Sequence, residues 1–394
     1  MTSAQIEIQA IAVLAAAACA LPGVYLVLRR MAMMSDAISH TVLLGIVLGF
    51  FLTGDLASPL LVVGAALTGL LTVSLVELAN RTRLVREDAA IGLVFPALFS
   101  LAVILISLFA GNVHLDVDAV LLGELAYAPF DRMIVFGTDI GPVGLYLMGG
   151  MFVINLGFIL LFFKELKIAT FDAGLAASLG FLPGLIHYAL MGIVSLTTVS
   201  AFEVTGSILV VAMMVAPPIT AYLLTDRLPR LISLSVLIGA LSALGGYWLA
   251  HWLDASIAGS MATMAGVWFG LALLFAPRRG LLAATRRRVR QKWDFAQTML
   301  LIHLLNHEGC EEEVSENDIR HLHEHIRWRP DFASQVVIRA HRRGLIDLDG
   351  SRMALAKPGR QLAQQMLADL VRWDDVQWEN QNQPAAEPQL TSQE

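Results

Sequence analysis

The sequence predicts an all-α polytopic membrane protein of about nine transmembrane helices, followed by a small α+β domain outside the bilayer. Three observations predict it. Of the 394 residues 56% are apolar and only 15% are charged, whereas a soluble domain carries about 25% charged residues. Nearly all the apolar excess lies before Pro277, and from Arg278 the chain turns charged, amphipathic and rich in histidine. Lys and Arg also punctuate the apolar runs at every second interval. The net charge of −6 averages two chemically different regions and argues for no nucleic-acid partner. Cys19 in an apolar run and Cys310 in the tail are the only cysteines, which excludes a disulfide framework.

A bilayer core of about 30 Å needs roughly 20 apolar residues per helix. Runs meeting that need lie at 10–28, 37–53, 58–78, 90–110, 142–163, 183–200, 206–224, 230–250 and 259–276. Met1 to Gln9 carries no Lys or Arg, and the first run ends at Arg29 and Arg30 instead of a small-residue cleavage site, so it reads as a retained span. The second and sixth runs contain polar residues, and the turn after the sixth is hardly more than 200–205. Basic residues in short loops stay on the cytoplasmic side. Arg29/Arg30, Arg81/Arg83/Arg86, Lys164/Lys167, Arg227/Arg230 and Arg278/Arg279 fall on alternate loops. The opposite loops carry His114, Asp116, Asp118, Glu124, Asp131, Asp139, His251 and Asp254, with Arg132 the one basic residue among them. The N-terminus is then outside and the tail inside the inner membrane. Between Asp116 and Gly141 the pattern predicts a short re-entrant or interfacial helix.

Ionisable residues inside spans are costly and are functional candidates. Asp36 and His40 lie four residues apart and share one helix face. One carboxylate oxygen and one imidazole nitrogen suit a borderline divalent transition metal better than Ca²⁺, Mg²⁺ or Cu(I). Read as ordinary structure, Asp36 caps a helix and His40 hydrogen-bonds a neighbour. Glu203, between two strongly apolar segments, is a third candidate cation ligand. His114, Asp116 and Asp118 read as solvated loop charges and His187 and His251 as interfacial residues. The chain has no Gly-rich phosphate loop, so it is not expected to hydrolyse ATP.

The segment from Leu28-Arg29-Arg30-Met31 through Ser35-Asp36-Ala37-Ile38-Ser39-His40 to Gly45 resembles the signature of the manganese/zinc/iron ABC permease family. Arg86-Glu87-Asp88-Ala89-Ala90-Ile91-Gly92, Leu121-Leu122-Gly123, Thr170-Phe171-Asp172-Ala173-Gly174-Leu175-Ala176 to Gly180, and Thr205 to Pro218 resemble further motifs in the family's order. Many relatives have Val where this chain has Thr205. The resemblance covers about residues 10–277 and implies a fold like the vitamin B12 importer. It implies a second permease chain, identical or related, cytoplasmic ATP-binding subunits and an extracytoplasmic metal-binding protein. Asp36 and His40 match the family's metal-coordinating pair, and Phe171, Asp172, Leu175 and Gly180 lie in the segment that resembles its coupling helix. No permanently bound cofactor is implied. The cargo is a divalent ion, with manganese slightly favoured over zinc and iron.

After the permease region (1–277), residues 278–292 form a basic juxtamembrane linker suited to anionic membrane lipid. In 293–377 the pattern predicts helices at 295–305, 315–326 and 331–343, then a hairpin about Asp349-Gly350. Three helices and a hairpin resemble the winged-helix domain of iron- and manganese-dependent repressors, with Lys357-Pro358-Gly359-Arg360 in place of their usual Thr-Glu-Lys-Gly-Arg. DNA binding is not expected, because the domain is close to charge-balanced and tethered to a membrane. His321, His323, His325 and Cys310 read as solvated surface before a regulatory metal site, and residues 378–394 as a disordered tail. The leading function is the permease of an ATP-driven metal importer. A membrane-tethered metal sensor is the alternative, and a proton-coupled carrier is a third.

Overall fold

A computed structural model of the chain describes residues 2–54, 58–82, 84–109, 125–135, 138–310, 317–320, 322 and 326–368. The chain divides into two compact units, Met1–Ala283 and Ala284–Glu394. The first is built, among the described residues, on nine helices long and apolar enough to cross a membrane. They are α1 (Ser3–Leu28), α2 (Ala32–Thr53), α3 (Pro59–Arg81), α4 (Glu87–Phe109), α5 (Val143–Leu161), α8 (Pro183–Thr205), α9 (Ser207–Leu224), α10 (Leu228–Leu253) and α11 (Ile257–Phe275). Two short helices, α6 (Phe163–Phe171) and α7 (Ala173–Ser178), stand between α5 and α8.

Two boundaries differ from expectation at places that matter. Helix α2 begins five residues before the expected start at 37, so Asp36 is helical. Helix α8 runs on to Thr205, so Glu203 is helical and the turn to α9 is Gly206 alone, at φ +79°. In both stretches a polar hydroxyl is satisfied inside the helix. Ser and Thr hydroxyls donate back to the carbonyl four residues earlier, as Ser39 does to Ser35 (2.9 Å) and Thr205 to Ala201 (2.8 Å). Polar residues can therefore continue a helix where apolarity alone suggests its end.

Helix α1 is the axis of the first unit, with every residue from Ala15 to Leu26 buried. Its small residues let neighbours approach backbone to backbone. A Cβ on Gly23 would lie 2.0 Å from the Met214 carbonyl oxygen of α9, and one on Gly45 of α2 would lie 2.2 Å from that of Gly64 in α3. Polar side chains add bonds between helices. Buried Asn155 of α5 donates to Ala18 O and to Thr197 Oγ1 of α8, both at 2.9 Å. Thr72 of α3 donates to Thr41 of α2 at 2.7 Å.

The basic corners gather at one end of this unit, where Asp226 pairs with Arg278 (3.0 Å) and Arg279 (2.6 Å). At the other end Arg132 pairs with Glu7 (3.3 Å) and Asp139 (2.5 Å). The re-entrant helix expected within 116–141 is replaced, in its described part, by a 3-10 turn (Ala128–Phe130) and an antiparallel hairpin, β1 (Arg132–Val135) with β2 (Thr138–Pro142). Pro129 and the β-branched Ile134 and Val135 favour that outcome. His114, Asp116, Asp118 and Leu121-Leu122-Gly123 lie outside the described residues.

The second unit comprises α12 (Leu281–His307), α13 (Pro330–Arg342), the hairpin β3 (Ile346–Asp349) with β4 (Arg352–Leu355), and a helical segment at 357–368. The basic run from 281 to 292 is part of α12. Its core packs Leu300, Leu301 and Leu304 against Val336, Val337, Ile346 and Met353. Asp349 pairs with Arg352, and Gly350 takes φ +62° in the turn. Half of the helix expected at 315–326, with His321, His323 and His325, and the 378–394 tail lie outside the described residues, and the described stretch 317–320 is not helical but pairs with the hairpin, Ile319 N–H donating to Ser351 O at 3.0 Å and Met353 N–H to Asn317 O at 2.9 Å.

Candidate functional site

Helix α2 presents Asp36 and His40 one turn apart, with Asp36 Oδ1 3.5 Å from His40 Nε2. Met34, Ser35, Ala37, Ile38 and Ser39 around them are buried, so the helix turns this pair away from the bundle core. The Asp36 and His40 side chains are 43% and 27% exposed. On one side the His40 ring packs on Phe95 (5.2 Å between centroids) and Phe99 (5.9 Å) of α4. On the other, Asp36 lines an open groove of about 440 Å³ with Ala32, Met33, Val211, Ala212, Val215 and Ala216. Among the described residues Asp36 is the one charged group that lines the groove.

At 1.5 Å per residue, Asp36 stands about 10 Å from the middle of α2 and His40 about 4 Å. A carboxylate so placed on a spanning helix cannot face hydrocarbon without a cost of several kcal/mol. This face must therefore meet water or another protein surface. The pair offers one oxygen and one nitrogen to a cation. No third His, Cys, Asp or Glu converges on them among the described residues, so the face holds half of a four-ligand set.

Glu203 does not join the pair. It sits in the last turn of α8 and lines a separate cavity of about 260 Å³ with Tyr127, Asp131, Gly144 and Leu147. Asp131 in this cavity escapes a reading by span, because it follows Pro129-Phe130 in what reads as loop. It stands eleven residues before the fifth expected run at 142, with the hairpin between, so spacing along the chain does not join it to Glu203.

The α6–α7 segment carries the other expected surface. Asp172 caps α7 by accepting the Leu175 N–H at 2.9 Å. Gly180, at φ +84°, ends it while Phe181 N–H donates to Ala176 O at 3.0 Å. Only Ala176 is buried in this helix, and Phe171, Leu175, Leu179 and Leu182 are all about half exposed or more. An apolar patch on a short capped helix between spans has the character of a protein-docking surface.

Residues 4–276 match the sequence profile of the ABC 3 transport family. The chain is 48% identical over 361 residues to the zinc transport system membrane protein TroD of Treponema pallidum (strain Nichols), covering 92% of this chain and 98% of that one. It is 49% identical over 284 residues to the manganese transport system membrane protein MntD of Bacillus subtilis (strain 168), covering 72% of this chain and 96% of that one. The first match is longer than the first unit, so likeness to TroD extends into the second. Among solved structures, PsaBC from Streptococcus pneumoniae in complex with Fab superposes with a TM-score of 0.60 at 27% identity, covering 72% of this chain and 96% of that chain.

Proposed function

Because the chain belongs to the ABC 3 transport family, we propose that it is the membrane-spanning permease subunit of an ATP-driven importer of divalent transition metal ions, manganese, zinc or iron. The observation that carries this reading is the Asp36/His40 pair, an O/N donor set left uncovered on a spanning helix. A second permease chain facing this surface supplies the remaining ligands. Two such pairs make two oxygens and two nitrogens, a set suited to four-coordinate binding of a borderline cation. Weak, incomplete coordination within each chain lets the ion leave when the two faces part.

In this reading the basic corners face the cytoplasm and the Glu203/Asp131 cavity faces outside, where an extracytoplasmic metal-binding protein delivers the ion. Two carboxylates near that entrance attract cations and repel anions. Phe171, Asp172, Leu175 and Gly180 shape the surface that docks a separate ATP-binding subunit, the source of ATP hydrolysis. The second unit is a winged-helix domain with a regulatory or protein-docking role. Its basic run at 286–292 meets anionic lipid.

Uptake of radioactive Mn²⁺, and of Zn²⁺ in parallel, tests the reading in metal-starved cells carrying wild type, Asp36→Ala or His40→Ala at matched membrane levels. Either substitution is expected to reduce accumulation at least tenfold, and the metal that fails names the cargo. Normal uptake by both variants would remove the pair from the path.

A further inference from the structure

The corner between α1 and α2 brings together two sequence motifs that the chain holds far apart. Arg29 caps the C-terminus of α1, and Arg30, at φ +64°, turns the chain into α2, in whose second turn Asp36 stands. The Arg29 Nε donates to Thr170 Oγ1 of α6 at 3.2 Å. Its Nη1 meets His187 Nδ1 of α8 at 3.3 Å. Guanidinium only donates, so Nδ1 is the acceptor and the ring proton sits on Nε2. Thr170 stands two residues before Asp172, the cap of α7. One half-buried guanidinium therefore bonds both to α6, which leads into the docking segment, and to α8, and the Arg29 backbone stands three residues before α2 opens at Ala32.

We infer that Arg29 is a positioning residue that transmits movement of the α6–α7 segment to α2, an inference that rests on the importer reading above. Two features support motion here. The Arg29 Nη2 atom is buried with no hydrogen-bond partner. Beside His187 lies a cavity of about 210 Å³ lined by Met31, Met34, Val73, Val76, Glu77 and Asn80. A buried polar atom left unpaired is costly, and empty space close by lets the α2 start shift to a better-paired arrangement. A displacement of Thr170 pulls on Nε, and the fork conveys it to the chain that opens α2. Lysine cannot do this, because a single ammonium lacks the planar Nε/Nη1 fork that engages two fixed acceptors at once.

The test uses the whole complex, permease chains with ATPase subunits in proteoliposomes and the metal-binding protein outside, and measures Mn²⁺, Zn²⁺ or Fe²⁺ moved per ATP hydrolysed. Arg29→Lys and Thr170→Val are expected to lower that ratio at least fivefold. Co-purification of the ATPase and thermal stability of the complex should stay at wild-type values, which a merely structural role would not leave unchanged. If Arg29→Lys prevents assembly, Thr170→Val decides, since it removes one hydroxyl and keeps the guanidinium. A wild-type ratio in Thr170→Val overturns the inference while leaving the importer intact. A wild-type complex that moves none of Mn²⁺, Zn²⁺ and Fe²⁺ with ATP overturns the importer reading, and this inference with it.

Discussion

Asp36 and His40 show how much a single helical turn can decide. Their neighbours in sequence are buried, and the two candidate ligands share a polar face that α2 turns away from the core. Glu203, on α8, lines another cavity. In the second unit Asp318 illustrates a different use of a carboxylate. Arg320 bonds to it through Nη2 (3.0 Å), Nε (3.2 Å) and its backbone N–H (2.9 Å), and Ser351 Oγ donates at 2.9 Å. Chiefly through the Arg320 side chain, these bonds hold the Asp318 carboxyl well below the usual carboxylate range. Its contribution to stability is complete above the unfolded value of about 3.9 and is lost as pH falls through the lower folded value. Pepsin cleavage of the second unit in the full chain should accelerate as pH drops from about 4 toward 2, and Asp318→Asn should remove most of that dependence. An unchanged pH profile in the variant would show that other carboxylates set the acid limit.

At the scale of elements, the short capped helix α7 contrasts with the nine spans. Spans bury small residues against each other, as Gly45 does against Gly64 and Gly23 against Met214. Helix α7 buries Ala176 alone and leaves its larger apolar side chains in the open. An element of 6 residues cannot be stable by its own hydrogen bonding, so the Asp172 cap and the Gly180 stop hold it between α6 and α8. Leu175→Glu should therefore leave membrane levels unchanged, because Leu175 is 49% exposed. Association with the ATPase should weaken at least tenfold, about 1.4 kcal/mol, measured by co-purification of the two subunits. Undiminished co-purification would place the docking surface elsewhere.

For the whole molecule, the chain divides into two compact units. Each has its own apolar core, α1 at the centre of one and α12 with α13 and the β3–β4 hairpin in the other. A chain ending at Ala283 should retain at least about a third of metal uptake in the starved-cell assay, since Asp36, His40 and α7 all lie before the cut. Complete loss of uptake at a normal membrane level would instead favour the sensor reading, in which the second unit performs the function and the spans only anchor it.

Much of this architecture is legible in the sequence because a membrane forces each helix to satisfy its own backbone hydrogen bonds. Long apolar runs, alternating basic loops and the Asp36-x-x-x-His40 spacing are local patterns, and local patterns survive in one dimension. The hairpin about Gly350 is legible for the same reason, since φ > 0 there calls for glycine. Boundaries at α2 and α8 are not, because hydroxyls that bond back along the helix look like interruptions on a hydropathy count. Least legible are the meetings between distant segments. Asp131 joins Glu203, and Arg29 reaches Thr170 across 141 residues, only because tertiary packing sets those helices side by side. The sequence by itself determined which segments cross the membrane and which residues could hold a metal ion. Tertiary structure alone decided that Glu203 stands apart from the Asp36/His40 pair and beside Asp131, because close packing of small residues, not spacing along the chain, sets the distance between helices.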